Sequence, residues 1–84
     1  MGRVVLTPAA QKQMAALPGG MIRRINEVLS RLQRWPDVSG AKPLQRNLKG
    51  NHRIRCGDWR VLFRVEGETV IVWAVDNRRD VYER

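Results

Sequence analysis

Four arginines occupy alternating positions in the second half of the chain. Arg53 and Arg55 lie in one run, and Arg60 and Arg64 lie in the next. Side chains two residues apart project from the same face of a β-strand. Each run can therefore present its guanidinium groups on one surface. Because a guanidinium group binds phosphate through two parallel hydrogen bonds, this spacing indicates a site for a phosphate-bearing ligand.

Two short turns predict how these runs pair. Gly57-Asp58 and Gly67-Glu68 are interpreted as two-residue turns, since glycine at the first loop position suits a type II′ hairpin. Arg55 should then face Arg60. Along the next strand, Leu62 should face Trp73 and Arg60 should face Val75.

Alternation sorts the side chains of these strands onto two faces. One is almost wholly apolar and should be covered by helices: Ile54, Cys56, Trp59, Val61, Phe63, Val65, Val70, Val72 and Ala74. The other, which we call the arginine face, should carry Arg53, Arg55, Arg60, Leu62, Arg64, Ile71, Trp73 and Val75.

The arginine face is the part of the sequence that points to a function. Like charges directly opposite each other, as predicted for Arg55 and Arg60, destabilise a sheet. We expect no acidic residue of these strands to share the face and neutralise them. Arginines beside the indole of Trp73 suit a single-stranded nucleic acid, which offers phosphates and flat bases. The alternative is an ordinary solvated face, with Trp73 partly covered by the C-terminal tail.

The composition agrees with a polyanionic partner. The 84 residues are sufficient for one domain, 1–84, and 43% of them are hydrophobic, as in a globular protein. Sixteen basic residues, thirteen of them arginine, oppose eight acidic ones, for a net charge of +8. Such a surplus favours binding to nucleic acid or to an acidic protein.

The sequence contains no sign of a metal, a cofactor or a membrane. Cys56 is the single cysteine and His52 the single histidine, so neither an internal disulfide nor a zinc site can be built. An apolar run of transmembrane length and a signal-peptide pattern are both missing. We therefore expect a cytoplasmic protein without metal, cofactor or membrane partner.

The first half of the chain predicts a strand and two helices. Arg3–Leu6 is a short strand, and Thr7 with Pro8 then caps and starts a helix that Pro18-Gly19-Gly20 ends. A second helix is predicted from about Met21 to Arg34, followed by a loop over 37–43. The apolar stripe of this second helix has helical spacing and consists of Ile22, Ile25, Leu29 and Leu32.

The second half predicts three strands, His52–Cys56, Trp59–Glu66 and Thr69–Asp76, and a polar tail. The fold class is α+β, with two N-terminal helices packed on one face of a mostly antiparallel four-stranded sheet.

The segment from Leu48 to Val65, with the motif from Val75 to Tyr82, resembles the RelE/ParE toxin superfamily. The shared features are L-x-G, a basic alternating strand, GD-aromatic-R, an aliphatic strand and an RRDVY-like end. The predicted order of elements matches as well. The resemblance implies a RelE-like fold, a toxin of a type II toxin–antitoxin system, and an acidic cognate antitoxin that covers the basic surface.

Resemblance to the RelE branch implies cleavage of mRNA in the ribosomal A site, without metal, by attack of a 2′-hydroxyl on the adjacent phosphate. The residues that match catalytic positions are Arg53, Arg55, Arg60, Arg78 and Tyr82. The residues expected to contact RNA are Lys49, His52, Arg64, Trp73 and Arg79.

The general base is left open by the sequence. Arg55 occupies a position where relatives often carry a lysine base, and an arginine stays protonated. His52 has an unperturbed pKa near neutrality, but alternation directs its side chain away from the arginines. His52 is therefore either a base at the strand end or a structural residue, and we favour the structural role.

Two other functions remain open. A ParE-like protein would inhibit DNA gyrase without catalysis, and a third possibility is an RNA-binding member of the superfamily that lacks turnover. The arginine face and Tyr82 favour the ribonuclease, because a gyrase inhibitor has no need of a phosphate-binding sheet.

Overall fold

The computed structural model describes residues 2–44 and 50–77 of the chain. The elements, in chain order, are β1 Arg3–Leu6, α1 Pro8–Ala15, α2 Gly19–Leu32, β2 Lys42–Pro43, β3 Asn51–Cys56, β4 Trp59–Glu66 and β5 Thr69–Asp76. Among the helices described, none has the length and apolar composition needed to cross a bilayer.

The strands form one mixed sheet in the order β1-β5-β4-β3-β2. β1 runs parallel to β5, and the other neighbours are antiparallel. The α+β prediction is confirmed, but the sheet has five strands and not four. The additional strand, β2, lies in the segment predicted as a loop, and its two residues are too few to show any alternation.

The helices begin close to their predicted positions. The Thr7 side chain accepts a hydrogen bond from the Ala10 N–H at 3.2 Å, which is the predicted N-cap of α1. α2 starts earlier than predicted, because the Pro18 carbonyl already accepts hydrogen bonds from the N–H groups of Met21 and Ile22. The two glycines after Pro18 therefore form the first turn of α2 and do not separate the helices.

The core lies between the helices and one face of the sheet. α2 contributes Ile25, Val28 and Leu32. The buried cluster comprises Ala10, Leu17, Ile25, Val28, Leu32, Ile54, Val61, Phe63, Val70, Val72 and Val75.

The β3–β4 hairpin has the predicted register. Cys56 pairs with Trp59, and Arg55 pairs with Arg60. At the turn, Gly57 has a φ of +63°, a value that L-residues with a side chain rarely adopt. Glycine at the first loop position therefore sets which residues of the two strands face each other.

The β4–β5 hairpin departs from the prediction at a β-bulge. Phe63 pairs with Val72 as expected, but Leu62 pairs with Ala74, so Trp73 is an extra residue on β5. The predicted pairing of Leu62 with Trp73 is wrong, and so is every pairing beyond it. The bulge exchanges the faces of the next two residues, since Val75 packs into the main core and Ala74 packs on the arginine face.

Two glutamines of α1 bind backbone groups where β1 ends. The Gln13 Oε1 accepts a hydrogen bond from the Val75 N–H at 2.7 Å. The Gln11 Nε2 donates to the Leu6 carbonyl at 3.1 Å. α1 thereby satisfies polar groups at the end of the parallel pair, next to the bulge.

Candidate nucleic-acid interface

Arg55 and Arg60 are brought together on the face of the sheet remote from the helices. They form a cross-strand pair, while the neighbouring pair of Ile54 and Val61 packs into the core. The two arginines differ in exposure, since Arg55 is exposed and Arg60 is only 5% exposed. Adjacent like charges raise the local positive potential, which favours an anionic ligand between or above them.

Asp76 stands on the other side of Arg60. The bulge makes Asp76, and not Val75, the cross-strand partner of Arg60. Arg55, Arg60 and Asp76 therefore form one row across β3, β4 and β5. A largely buried arginine needs hydrogen bonds and a counter-charge, and the cross-strand position opposite Arg60 carries the Asp76 carboxylate. Arg60 is therefore a buried arginine opposite a carboxylate, whereas Arg55 is exposed to solvent.

The expectation that no acidic residue shares the arginine face is wrong at two positions. Asp76 is the first, for the reason just given. The second is Glu66, whose Oε2 accepts a hydrogen bond from the Arg64 Nε at 2.9 Å. Glu66 lies two residues after Arg64 on β4 and so shares its face. Arg64 is four residues from Arg60, roughly 13 Å along the strand, and its charge is offset by this exposed ion pair.

A cleft of about 350 Å³ opens beside the arginine pair. We call it the sheet cleft, and it is lined by Arg55, Gly57, Asp58, Arg60 and Asn77. Two guanidinium groups, one carboxylate and one amide face a common space. Such a set can hold an anion through charge-assisted hydrogen bonds and offers one group that accepts a proton.

The middle of the arginine face is less open than predicted. Leu44, which follows β2, is buried against Leu62 and Ala74 in a small second cluster. The Leu44 N–H also donates to the Asn51 carbonyl at 2.8 Å. Arg53 pairs with Leu62 on one side and with Lys42 of β2 on the other, and it is half-buried. Arg53 therefore lies one row along from the Arg55–Arg60 pair, at the margin of the apolar cluster.

Trp73 is the bulge residue and packs against the same small cluster. Its indole Nε1–H donates to the Asn51 Oδ1 at 2.9 Å, so the ring is held at a defined orientation. The ring remains partly exposed. An oriented, partly exposed indole can stack on a base, and this role for Trp73 stays a prediction.

His52 lies on the opposite face of the sheet from the arginines, as alternation predicts. It pairs with Phe63, and the rings are stacked with centroids 5.5 Å apart. The Trp35 ring meets His52 edge-on at 4.8 Å. Burial lowers the pKa of His52, because the charged imidazolium loses hydration. The expectation that His52 contacts RNA beside Arg64 and Trp73 is therefore not supported by its placement.

Four predicted residues lie outside the described residues: Lys49, Arg78, Arg79 and Tyr82. Their roles stay predictions. Asn77, the last residue described, lines the sheet cleft, and Arg78 follows it directly in the sequence.

Sequence reasoning did not single out Asp58, Asp76, Asn77 or Asn51. Asp58 could have been predicted as a neighbour of the arginine pair, because it lies in the short turn that joins the strands of Arg55 and Arg60. Asp76 could not be placed, since its pairing depends on the bulge.

Known proteins with a similar sequence identify the family. Residues 4–82 match the family model of the ParE toxin of type II toxin–antitoxin systems, parDE. The chain is 36% identical over 84 residues to Toxin RelG of Mycobacterium tuberculosis, with 96% of this chain and 95% of that protein covered. It is 27% identical over 84 residues to Toxin RelE3 of Methanocaldococcus jannaschii, with 96% of each covered.

Solved structures agree with this relationship. The toxin–antitoxin complex RelBE2 from Mycobacterium tuberculosis contains a chain that superimposes with a TM-score of 0.80 at 28% identity, covering 92% of this chain and 98% of that one. The intact RelBE complex from E. coli gives a TM-score of 0.77 at 17% identity, covering 94% and 99%, which shows a shared fold. The chain belongs to the ParE toxin family of the RelE/ParE superfamily and is a toxin of a type II toxin–antitoxin system.

Proposed function

We propose that this toxin is an endoribonuclease that cleaves mRNA in the ribosomal A site without a metal ion. The observation that supports the proposal is the sheet cleft, where the exposed Arg55 lies beside the buried Arg60. Cations fixed in place before the reaction stabilise developing negative charge more effectively than mobile ones. The gain is largest for a reaction that crowds charge onto one phosphate.

The reaction is attack of a ribose 2′-oxygen on the adjacent phosphorus. The bond from phosphorus to the 5′-oxygen breaks, which leaves a 2′,3′-cyclic phosphate and a 5′-hydroxyl end. Arg55 and Arg60 are assigned to the non-bridging phosphate oxygens, and Arg53 to the neighbouring phosphate. By resemblance to the RelE branch, Arg78 and Tyr82 act on the phosphate and the leaving oxygen.

The proton of the 2′-hydroxyl needs an acceptor. Arg55 does not serve, because an arginine stays protonated, and His52 lies across the sheet in the ring cluster. Among the described residues that line the sheet cleft, Asp58 carries the one carboxylate. We therefore assign Asp58 as the group that accepts the proton of the 2′-hydroxyl. An exposed carboxylate is a weak base, and the ribosome must therefore contribute by holding the 2′-oxygen in line with the phosphorus.

The partners follow from the charge and the relatives. A surface with a net charge of +8 attracts both ribosomal RNA and an acidic antitoxin. The relative from Mycobacterium tuberculosis was solved as a toxin–antitoxin complex, and we propose that this toxin is likewise held inactive by an acidic cognate antitoxin in the cytoplasm.

The test is cleavage of a defined mRNA by the purified toxin, with and without programmed ribosomes, and the slow cutting of free RNA at high toxin concentration is measured separately with and without EDTA. We expect cleavage within the A-site codon, a cyclic phosphate end and little cutting of free RNA. Efficient cutting of free RNA would show that cleavage does not depend on the ribosome, contrary to the proposal. If EDTA abolishes the slow cutting of free RNA and a divalent cation restores it, the reaction depends on a metal ion and the proposed metal-independent mechanism is wrong.

The second candidate is inhibition of DNA gyrase, which the match to the ParE family model favours. A supercoiling assay with purified gyrase distinguishes the two. Double-strand breaks or loss of supercoiling, together with intact mRNA on programmed ribosomes, would assign the toxin to gyrase.

A further inference from the structure

We infer that a second groove, between α2 and the β3–β4 turn, binds the phosphate backbone of the RNA strand as it leaves the sheet cleft. This inference rests on the proposed ribonuclease function and adds a binding site to it. The groove has a volume of about 610 Å³ and is lined by Arg24, Glu27 and Arg31 of α2 and by Arg55, Cys56 and Gly57 of the hairpin. We call it the helix groove.

The helix groove is continuous with the sheet cleft. Arg55 and Gly57 line both. This sharing is possible because β2 pairs with β3 only at His52 and Arg53, which leaves the last residues of β3 without a neighbour on that side among the described strands. The exposed Arg55 side chain can therefore face the sheet cleft and the helix groove across an open edge. A ligand chain can pass from one to the other around a single arginine.

Arg24 extends this path onto the helix. A Cβ built on Gly57 would lie 3.4 Å from the Arg24 Nη1 and 3.5 Å from its Nη2, so the guanidinium group rests against the glycine of the turn. Arg24 and Arg31 are both exposed residues of α2. The order around the edge is then Arg60, Arg55, Arg24 and Arg31, a line of guanidinium groups contributed by a strand pair and a helix.

The chemistry of the lining favours a polyanion over a protein helix. A helix bound in a groove needs apolar anchor pockets, and the apolar side chains here are Val28, which is buried in the core, and the half-buried Cys56. Three guanidinium groups face one carboxylate, Glu27, so the net charge of the lining is positive. RNA meets that pattern with a phosphate at every nucleotide, and guanidinium groups bind it through paired hydrogen bonds.

The experiment measures binding of a 2′-O-methylated single-stranded RNA, which cannot be cleaved, to the purified full chain over a series of salt concentrations. Affinity decreases as salt increases, and for a single strand the steepness of log affinity against log salt is reduced by about 0.7 for each phosphate that is no longer bound. We expect Arg24→Gln to lower the slope by about that amount, and Arg24→Gln/Arg31→Gln by about twice as much.

Arg23→Gln is the matched control. Arg23 is the neighbouring exposed arginine on the same helix, and it borders a different depression with Gly19 and Asn26. The two single variants carry the same net charge. Equal slopes for Arg23→Gln and Arg24→Gln would overturn the inference, because the effect would then be one of overall charge.

Two further outcomes separate the inference from the proposed function. If Arg24→Gln binds RNA like the wild type while the wild type cleaves mRNA on ribosomes, the helix groove is not an RNA site and the ribonuclease stands. If the wild type cleaves nothing, the proposed function fails whatever the slopes. Poly-glutamate is measured in parallel, and a loss of its binding in Arg24→Gln without a loss of RNA binding would assign the helix groove to an acidic protein segment instead.

Discussion

Arg60 and Asp76 face each other across β4 and β5 because one extra residue, Trp73, sits between Val72 and Ala74. The bulge therefore does more than bend a strand. It places Asp76 opposite Arg60, a residue that is 5% exposed and that lines the cleft we assign to RNA. The same residue that interrupts the sheet on β5 therefore determines that an acidic residue faces Arg60.

The first prediction concerns this pair. Asp76→Asn should lower the free energy of unfolding by about 1–3 kcal/mol, since a buried charge loses its ionised partner. Glu66→Gln is the matched control, because its partner Arg64 is exposed, and it should cost less than about 1 kcal/mol. Urea denaturation of both variants measures the difference. Equal effects would mean that Asp76 does not stabilise Arg60.

The second prediction concerns catalysis. Arg55→Gln should lower the rate of single-turnover cleavage on programmed ribosomes by roughly 10²–10³, the cost of one transition-state contact. Because Arg55 is exposed, the variant should keep its fold, which far-UV circular dichroism checks. Arg3→Gln removes an exposed arginine from β1 and should cleave at the wild-type rate. A folded Arg55→Gln toxin of full activity would contradict the site assignment.

Arg60→Ala and Arg78→Ala should each abolish growth arrest as well. Arg60 is buried, so its variant requires the same check of folding before a loss of toxicity is attributed to the site.

The third prediction concerns how the cleavage rate depends on pH. His52 lies across the sheet from the sheet cleft, and we expect no limb in the profile from a histidine between about pH 5.5 and 8.5. His52→Gln should retain most of the wild-type rate, provided that measurements are made where the variant is folded. A limb near neutrality that disappears in His52→Gln, with a large loss of rate, would show that the imidazole reaches the RNA.

The fourth prediction concerns stability against acid. Burial lowers the pKa of His52 in the folded protein, so the unfolded chain binds a proton at a higher pH than the folded one. The resulting stability is fully present above the unfolded value of about 6.5 and is lost as the pH falls through it toward the lower folded value. Thermal unfolding between pH 7.5 and 5 should show this loss, and His52→Phe, which keeps the ring contacts, should lack it. The same slope in both proteins would exclude His52 as its source.

The fifth prediction separates two roles of Trp73. Trp73→Phe keeps a flat ring but loses the N–H that binds Asn51, so it should cost about 1 kcal/mol of stability and little RNA affinity. Trp73→Leu should lose RNA affinity worth about 1–3 kcal/mol if one base stacks there. Fluorescence anisotropy with the methylated RNA makes the comparison. Equal affinities for the two variants would mean that no base stacks on Trp73.

Much of the fold could be predicted because its signals are local. Thr7-Pro8 starts α1 as expected, and Gly57 fixes the β3–β4 register that places Arg55 opposite Arg60. The strands β4 and β5 have the predicted bounds, since the two glycine turns mark where β4 begins and ends and where β5 begins.

The rest could not be predicted because it depends on tertiary pairing. The run from Val70 to Val75 contains no residue that marks a bulge. Strict alternation therefore predicted Val75 as the partner of Arg60, one residue before the observed partner Asp76. β2 is two residues long and exists only through its pairing with β3. The helix groove joins α2 to a distant hairpin, and neither segment alone indicates that Arg24 meets Gly57.

The glutamines of α1 have a consequence for how copies of this toxin meet. β1 ends at Leu6, and the next hydrogen bond to β5 runs from the Thr7 N–H to the Val72 carbonyl at 2.9 Å. Unpaired backbone groups past this point would be available to a strand from another molecule. Gln13 already binds the Val75 N–H, and Gln11 already binds the Leu6 carbonyl. An incoming strand would have to displace both side chains before it gained a hydrogen bond. α1 thus protects these two backbone groups at the corner of the sheet against edge-to-edge association.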